Sequence, residues 1–351
     1  ITFSRSSIGT YVDSNGVIQT ATANTPRFDH DPDTLESLGL KMERESINIA
    51  RTSNLSDAWI VNSNTSPAPT NNTQVAPDGT TTAWVMPSGT GFVQRNYTVT
   101  TGQSYTLSFF AKQGIATEIV TGTLGFPNPG PYVQGSIYNW NTDTLYPGWK
   151  KEDYQNGWSR FSYTFVNAPG TILAARLDTS VTSNNSGYYI WGLQIENNTA
   201  ATSYIPNSSS SSDATRSSEV ASISDVSYIN QSEGTFFTTA SRIDNGVGSS
   251  RVISNTNGTA GYIVLSPTSA STFDGDLAAV STSPAPAFVN VASTYTPSEK
   301  SIASGGIVSA PVARNSAFPL TPITSLRIAP AAGSGNYFWG IISRITYWPK
   351  K

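Results

Sequence analysis

The chain of 351 residues carries 20 Lys and Arg, 23 Asp and Glu, one His and no Cys. A net charge of −3 with only 12% charged residues excludes a protein that holds nucleic acid electrostatically, since such a protein needs a basic stripe. The absent Cys and the single His exclude disulfides, zinc–thiolate centres, Cys nucleophiles and multi-histidine metal sites, and no apolar run of about 18 residues is present that would insert into a membrane.

The remaining composition predicts an all-β fold with two β-sandwich domains in tandem. Aromatic residues reach 11%, which is typical of a folded chain, whereas charged helix formers are scarce. Thr, Tyr, Phe and Trp favour pleated, half-buried strands. At roughly 150 residues per domain, a chain of this length is expected to form about two domains.

Residues 1–52 are predicted to form a short N-terminal docking segment. The turn sequence Asp13-Ser14-Asn15-Gly16 lies between two short strand sequences and predicts a hairpin, and residues 39–43 form a further strand. The only helical expectation in the chain is one turn around residues 35–38. A hairpin and a strand cannot enclose a core, so we expect this segment to dock on a neighbouring domain or on another subunit.

Residues 53–206 are predicted to form the first sandwich, because apolar and polar residues alternate along successive short segments. Phe161, Tyr163 and Phe165, for example, are expected on one face of a strand. The predicted strands lie near residues 81–86, 91–99, 105–111, 117–124, 161–166 and 188–195.

Residues 207–217 are predicted to be a linker, since the unbroken serine run from Ser208 to Ser212 cannot bury apolar surface. A surface loop within one domain is the alternative. Residues 218–351 are predicted to form the second sandwich, in which Asn257-Gly258 is a strong two-residue hairpin turn. Its predicted strands are 234–239, 251–254, 262–265, 326–328 and 340–348.

Several motifs occur in a fixed order in the N-terminal segment: Phe3–Ser7, Thr10–Asp13, Gly16–Ile18, Ala23–Pro32 and Gly39–Glu43. In this order they resemble the lead-in segment of a group of bacteriophage virion proteins, generally labelled tail-fibre or tail-associated proteins. In that group a glutamate–arginine–threonine–asparagine stretch follows, and the sequence from Glu45 to Thr52 departs from it.

The resemblance continues through both predicted sandwiches. The first is similar to the carbohydrate-binding-module-like jelly roll of those proteins at Asn54–Trp59, Pro77–Ala83, Tyr105–Lys112, Gly157–Arg160, Trp191–Glu196 and Ala201–Pro206. The second resembles a concanavalin A-like, laminin-G-type sandwich at Tyr228–Thr235 and Gly340–Pro349. The resemblance implies a virion protein that is assembled in the bacterial cytoplasm, contacts other virion proteins and forms an oligomer, with a trimer expected.

Aromatic residues between Gly125 and Lys150 predict a glycan-binding site, because sugar faces stack on aromatic rings while amides and carboxylates bond the hydroxyls. The predicted ligand-binding residues are Tyr132, Tyr138, Trp140, Asn141, Tyr146 and Trp149. The alternative is that individual rings lie in the sandwich core.

Asp29, Asp31 and Asp33 are candidate ligands for Ca²⁺, since this ion prefers several oxygen donors on one loop. The alternative is that Asp29 and Asp31 cap turns while Arg27 forms an ion pair. A hydrolytic role for the neighbouring His30 is weaker, because a general base needs an orienting partner and a substrate pocket.

A glycosidase would need two carboxyl groups facing each other across a cleft. Glu152 and Asp153 are adjacent and would point to opposite faces of a strand, and Glu196 belongs to a structural motif. The other acids considered are Glu118, Asp143 and Asp178. No convincing pair emerges, so we expect no enzymatic activity.

The sequence therefore predicts a non-catalytic tail fibre or adhesin that recognises a host-surface glycan. The alternatives are a capsid or tail decoration protein with a purely structural role and, with less support, a glycan depolymerase. The sequence does not begin with Met, so we expect it to start either inside a longer product or after processing, with an anchoring segment missing from it.

Overall fold

The computed structural model describes most of the chain. The described residues are 1–51, 60–61, 70–87, 92–126, 130, 132–178, 186–209, 211–242, 250–255, 261–266, 269–273, 279–282, 289–313, 323–328 and 338–350. Within these ranges the fold is all-β, as the sequence predicts, and the only helical element is the three-residue 3₁₀ helix Gln155–Gly157.

Short strands follow one another along the first half of the chain. They are β1 (Thr2–Ser4), β2 (Gly9–Val12), β3 (Ile18–Ala21), β4 (Phe28–His30), β5 (Ser37–Met42), β6 (Ser46–Asn48), β7 (Ile60–Val61), β8 (Thr70–Gln74), β9 (Ala83–Pro87), β10 (Phe92–Thr98), β11 (Tyr105–Gln113), β12 (Glu118–Gly125), β13 (Tyr132–Asn139), β14 (Thr144–Leu145), β15 (Trp149–Asp153), β16 (Trp158–Phe165), β17 (Ile172–Asp178) and β18 (Ser186–Glu196).

The second half continues in the same way. Its strands are β19 (Ala214–Arg216), β20 (Val220–Ile223), β21 (Gly234–Arg242), β22 (Ser250–Asn255), β23 (Gly261–Leu265), β24 (Ser269–Phe273), β25 (Ala279–Thr282), β26 (Val289–Tyr295), β27 (Glu299–Ser304), β28 (Ile307–Val308), β29 (Val312–Ala313), β30 (Leu326–Ile328) and β31 (Gly340–Trp348). The predicted turn Asn257-Gly258 lies outside the described residues, and β22 and β23 on either side of it pair antiparallel.

Two antiparallel sheets enclose the core of the first sandwich. One has the strand order β14-β13-β12-β17-β10-β7, and the other has the order β15-β16-β11-β18-β6-β19, with β9 pairing β18 and β8 pairing β9. Phe161 and Phe165 are buried in this core and Tyr163 packs against it, so the alternation predicted for this strand is confirmed. Because successive side chains of a strand point to opposite faces, every second residue of the strand packs against the facing sheet.

The second sandwich is built from two further antiparallel sheets. Their strand orders are β1-β20-β30-β22-β23-β24-β25 and β28-β27-β26-β21-β31-β5-β4, with β29 pairing β27. Its core includes Phe236, Ile253, Val291 and Ile302, each with an exposed fraction of 1% or less.

The N-terminal segment contributes strands to both sandwiches. Strand β1 pairs with β20 and β5 pairs with β31 in the second sandwich, whereas β6 pairs with β18 and β19 in the first. The hairpin β2–β3 places Val12 and Ile18 in a separate apolar cluster with Phe110, Tyr154 and Trp191 on the outer face of the first sandwich. The short strands therefore gain a core by joining their neighbours.

The helical turn predicted around residues 35–38 is wrong. Leu35 has a φ of +64° in a turn, and β5 begins at Ser37. The Asp31 carboxylate accepts hydrogen bonds from the backbone N–H groups of Asp33 and Thr34 and thereby stabilises the turn. Such local side-chain bonds compete with helix formation, which explains the difference.

Ser208, Ser211 and Ser212 of the serine run are exposed, but the chain on either side of the run is packed against the first sandwich. Asn207 is buried and its side-chain amide donates to the Asn48 carbonyl over 3.2 Å. Strand β19 pairs with β6, and its last residue, Arg216, has an exposed fraction of 1%. Composition predicts the exposure of the serines, whereas the long-range hydrogen bonds depend on the fold.

A cluster of charged side chains is buried between the two sandwiches. The Arg27 guanidinium contacts Glu219 at 2.5 Å and Glu43 at 2.8 Å. Arg5 contacts Glu219 at 2.6 Å, and Arg216 contacts Glu43 at 3.2 Å. Each of these side chains is at most 1% exposed, so every charge depends on its partners for compensation.

We expect Glu219→Gln to lower the free energy of unfolding by about 3–5 kcal/mol, because it leaves two buried guanidinium groups without their shared carboxylate. Urea denaturation at neutral pH measures the change. Asp213→Asn is the matched control, since Asp213 forms an exposed ion pair with Arg51 that is expected to contribute less than about 1 kcal/mol. Equal effects of the two substitutions would contradict the interpretation.

The stability of the buried cluster should also depend on pH. Burial alone would raise the pKa of the Glu43 carboxyl, but Arg216 and Arg27 outweigh this effect and hold that pKa well below its usual range. A carboxyl with a lowered folded-state pKa stabilises the fold above its unfolded-state pKa of about 4.3, and this stabilisation is lost as the pH falls toward the folded-state value.

We therefore expect the free energy of unfolding to decrease as the pH is lowered from about 5 toward 2, with a smaller decrease in Glu43→Gln. Urea denaturation of both proteins across this range measures the difference. The substitution is also expected to cost stability at pH 7, since it removes one buried charge. Parallel pH profiles for the two proteins would contradict a contribution from Glu43.

Gly39 allows β5 to approach β31 closely. Its φ is +117°, and a Cβ at this position would lie 2.5 Å from the Ile342 carbonyl oxygen.

We expect Gly39→Ala to lower the free energy of unfolding by about 3 kcal/mol or more, because the cost of the strained backbone conformation and the cost of the clash with the Ile342 backbone are summed. Gly102→Ala is the matched control, since Gly102 has a φ of +81° and open space around it, and it should cost about 1 kcal/mol. Thermal unfolding of both variants tests the difference, and equal losses would contradict the close approach.

Candidate functional site

An open groove of about 510 Å³ lies at one end of the first sandwich. Its volume is within the range of about 300–1,000 Å³ that small-molecule sites occupy. The lining residues are Asp33, Lys112, Gln113, Tyr138, Trp140, Lys151, Asp153, Tyr154, Gln155, Asn156, Gly157, Trp158 and Ser159. They come from the ends of β11, β13, β15 and β16, from the 3₁₀ helix and from the N-terminal segment.

Two aromatic rings form one wall of the groove. Tyr138 lies near the end of β13 and Trp140 follows two residues later, so both side chains are directed to the same side. The ring centroids lie 5.9 Å apart with the planes at 85°, an edge-to-face arrangement. Trp140 is half-buried and also contacts the ring of Tyr188, whereas Tyr138 is only 5% exposed. Trp140 is therefore the ring that a ligand can reach.

A polar strip lies beside these rings. The Lys151 ammonium lies 5.0 Å from the centroid of the Tyr138 ring, a cation–π contact, and it pairs with Asp153 at 2.6 Å. The Ser159 hydroxyl donates to the same carboxylate oxygen, Asp153 Oδ1, over 2.7 Å, and Lys151 also donates to Asp153 Oδ2 over 2.9 Å. Pairing of β15 with β16 holds Asp153 directly opposite Ser159 and so fixes the strip.

The charge states of the strip follow from these contacts. Burial alone would lower the pKa of Lys151, but the hydrogen bond and charge of Asp153 raise it overall. Burial alone would raise the pKa of Asp153, but the hydrogen bonds from Lys151 and Ser159 lower it overall. Burial and the hydrogen bond to Asp143 raise the pKa of the Tyr138 hydroxyl. At neutral pH the strip therefore presents a fixed ion pair and a neutral phenol.

The opposite wall of the groove includes the N-terminal segment. The side-chain amide of Gln155 donates to the Asp33 carbonyl over 2.6 Å and ties this segment to the 3₁₀ helix. Asn156 and Gly157 have φ values of +61° and +76°, so the chain turns sharply at this point. The turn brings Gly157 beside the aliphatic stem of Lys112.

The structure brings two of the predicted glycan-binding residues, Tyr138 and Trp140, to the groove. Tyr138 is nevertheless 5% exposed and belongs to the buried core of the first sandwich, so the core alternative describes most of this ring. Asn141 and Tyr146 are exposed but do not line the groove. Tyr132 begins β13, and its side chain lies outside the described residues.

The prediction that Trp149 binds ligand is not supported, because its side chain lies in the core of the first sandwich. It is 5% exposed, and its ring packs edge-to-face on Phe109 with centroids 5.9 Å apart. Trp149 begins β15 and points toward the facing sheet, where an aromatic ring fills space between layers. The core alternative therefore describes this ring.

The three aspartates proposed for Ca²⁺ do not form a metal site. Asp29 accepts from the Val12 N–H over 2.7 Å and pairs with Lys41, whereas Asp31 stabilises the turn described above. The Asp33 side chain lines the groove, and only its backbone N–H takes part in the Asp31 turn. Among the described residues, no group of three or more acidic or histidine side chains could hold a metal ion. Asp31 therefore caps a turn, as the alternative interpretation of the sequence expected, and Arg27 forms the ion pair that the same interpretation expected, with Glu219.

The acids considered for glycoside hydrolysis are each engaged by a neighbour. Glu152 and Asp153 point to opposite faces of β15, as predicted, since Asp153 lines the groove and Glu152 lines a separate cavity. Glu196 is fully buried and accepts from Ser46 Oγ over 2.6 Å. The remaining acids accept or pair within the chain: Glu118 with Ser136, Asp143 with Tyr138 and Asp178 with Arg176.

A smaller cavity of about 100 Å³ lies between the N-terminal hairpin and the first sandwich. His30, Glu152, Tyr154 and Arg160 are among its lining residues, and Arg160 Nε is buried with no hydrogen-bond partner among the described residues. At about 30 Å³ per water molecule, this volume suits a few waters and is too small for a sugar ring.

Sequence reasoning missed Lys112, Gln113 and Lys151 as residues of the groove. Lys151 and Asp153 are separated by one residue on a strand, which predicts a shared face, and this spacing was the available signal. Nothing in the local sequence indicates that β11 and the turn at Gly157 meet β13.

In comparison with known proteins, no protein-family model matches the chain and no curated protein matches it. Among the described residues, no helix is long and apolar enough to cross a membrane.

Proposed function

We propose that this protein is a non-catalytic component of a bacteriophage particle, a tail fibre or tail-associated adhesin that binds a glycan on the host surface. The observation that carries the proposal is the groove in which the half-buried Trp140 ring lies beside the Lys151–Asp153 pair. A sugar ring has an apolar face that stacks on such a ring and hydroxyls that bond neighbouring charged and amide groups.

The bacteriophage part of the proposal depends on the ordered motifs of the N-terminal segment and of the two sandwiches. In this proposal the protein is assembled in the bacterial cytoplasm and becomes part of the virion. Its partners are the host glycan, other virion proteins and further copies of itself, with a trimer as the expected oligomer.

The hydrogen bonds and ion pairs of the acidic residues support a non-catalytic role. Asp153 is the acid of the polar strip, and its lowered pKa keeps it ionised at neutral pH. A glycosidase needs one of its two carboxyl groups protonated to act as a general acid.

We expect Trp140→Ala to weaken binding of the purified protein to host cells or to a glycan array by about tenfold or more, because it removes the accessible stacking surface. Trp348→Ala is the matched control, since Trp348 is an exposed tryptophan of the second sandwich, 45% accessible, and lies outside the groove. Thermal unfolding of both variants checks that the fold is retained.

Unchanged binding in a folded Trp140→Ala variant would exclude the groove as the binding site. If the unmodified protein bound no host surface and no glycan, a structural decoration role would replace the proposal. Release of reducing ends from host polysaccharide would overturn the non-catalytic assignment.

A further inference from the structure

Among the described residues, four charged side chains line the groove, of which two form an ion pair with each other and two have no charged partner. Lys151 and Asp153 compensate each other at 2.6 Å. Lys112 and Asp33 also line the groove, and neither side chain has an ion pair or a hydrogen bond within the part of the chain that the structure describes. These two unpaired charges are therefore the groups available to a ligand.

Lys112 is a half-buried cation whose position is fixed by the sheet. It lies near the end of β11 with Trp158 opposite it on β16 and Tyr189 opposite it on β18. The aliphatic stem of Lys112 passes the turn at Gly157. A Cβ atom added to this glycine would lie 3.9 Å from Lys112 Cε. A cation held against protein on several sides has lost part of its hydration, and an anion that pairs with it restores the lost interaction.

Asp33 lies at the other end of the same turn. Its backbone is held on both sides, because its N–H donates to Asp31 and its carbonyl accepts from Gln155. The Asp33 carboxylate is exposed. The Gln155–Gly157 turn therefore has an unpaired carboxylate near its first residue and an unpaired ammonium near its last.

We infer that the glycan bound in the groove contains an acidic sugar, whose carboxylate pairs with Lys112 while its hydroxyls donate to Asp33. The inference rests on the proposed glycan-binding function and names the class of sugar. The accessible face of Trp140 lies in the same groove and stacks on the sugar ring.

One unpaired lysine matches the single negative charge of a uronic or sialic acid. A phosphate group carries up to two negative charges and is typically held by several donors, often from arginine. No arginine lines this groove among the residues that the structure describes. The carboxylate is therefore the anion that the geometry favours.

The experiment uses the full chain on an array of oligosaccharides that contain glucuronic, galacturonic or sialic acid. Each is printed beside its carboxyl-reduced form, which has the same ring and linkage without the charge, and beside phosphorylated and neutral glycans. We expect at least one acidic glycan to bind about tenfold more tightly than its reduced form, the magnitude of one charge-assisted hydrogen bond.

Variants then assign the preference to Lys112. Lys112→Gln should abolish the difference between acidic and reduced forms, and Lys112→Arg should retain it. Lys150→Gln is the matched control, since Lys150 is an exposed lysine on β15 that does not line the groove. Asp33→Asn should weaken both forms equally, because Asp33 contacts hydroxyls that both forms share.

The possible failures are distinguishable. Equal binding of acidic and reduced forms, preferential binding of phosphorylated glycans, or a preference that persists in Lys112→Gln would overturn the inference. If such binding still depended on Trp140, the proposed function would stand. Absence of binding to every glycan would overturn both.

Discussion

The fold depends on the buried ion pairs that Arg27 makes with Glu219 and Glu43. Charges removed from water cost several kcal/mol each unless partners replace the lost hydration, so this cluster is stable only when it is complete. Its members come from the N-terminal segment and from the residues that lead into the second sandwich. The side-chain hydroxyl of Ser203, at the end of the first sandwich, bonds both Arg27 and Glu43. The cluster therefore couples the docking of the N-terminal segment to both sandwiches at once.

This coupling has a direct consequence for the groove. The same N-terminal segment that supplies Arg27 and Glu43 also supplies Asp33, and Gln155 bonds the Asp33 carbonyl at the edge of the groove. The groove is thus shared between two parts of the chain. One part is the sheet that carries Lys112, and the other is a segment that also contributes to the buried charge cluster.

The candidate site follows a simple chemical arrangement. An accessible aromatic ring, Trp140, lies next to an ion pair that is already satisfied, and the two unpaired charges flank a sharp turn. In the proposed function the Lys151–Asp153 pair is already compensated, so Lys112 and Asp33 would determine which ligand is preferred, since an unpaired charge favours a ligand of complementary charge. Of the acidic groups of the site, Asp153 has a pKa that the hydrogen bonds from Lys151 and Ser159 lower overall, so it is ionised at neutral pH.

Composition and alternation by themselves determined the all-β class, the positions of the longer alternating strands such as β11, β16 and β31, and the burial of Phe161 and Phe165, because these depend on residues two positions apart. They left many of the other strands unpredicted, β13, β15 and β17 among them. Adjacent residues were also enough to predict that Glu152 and Asp153 face opposite ways. Only the tertiary structure decided that Trp149 is buried while Trp140 lines a groove, since Trp149 packs on Phe109 of β11 and Trp140 follows the last residue of β13. The same holds for the contact between Arg5 and Glu219, which lie 214 positions apart. No local pattern contains that information, because the stability of a buried charge depends on partners that only the folded chain brings together.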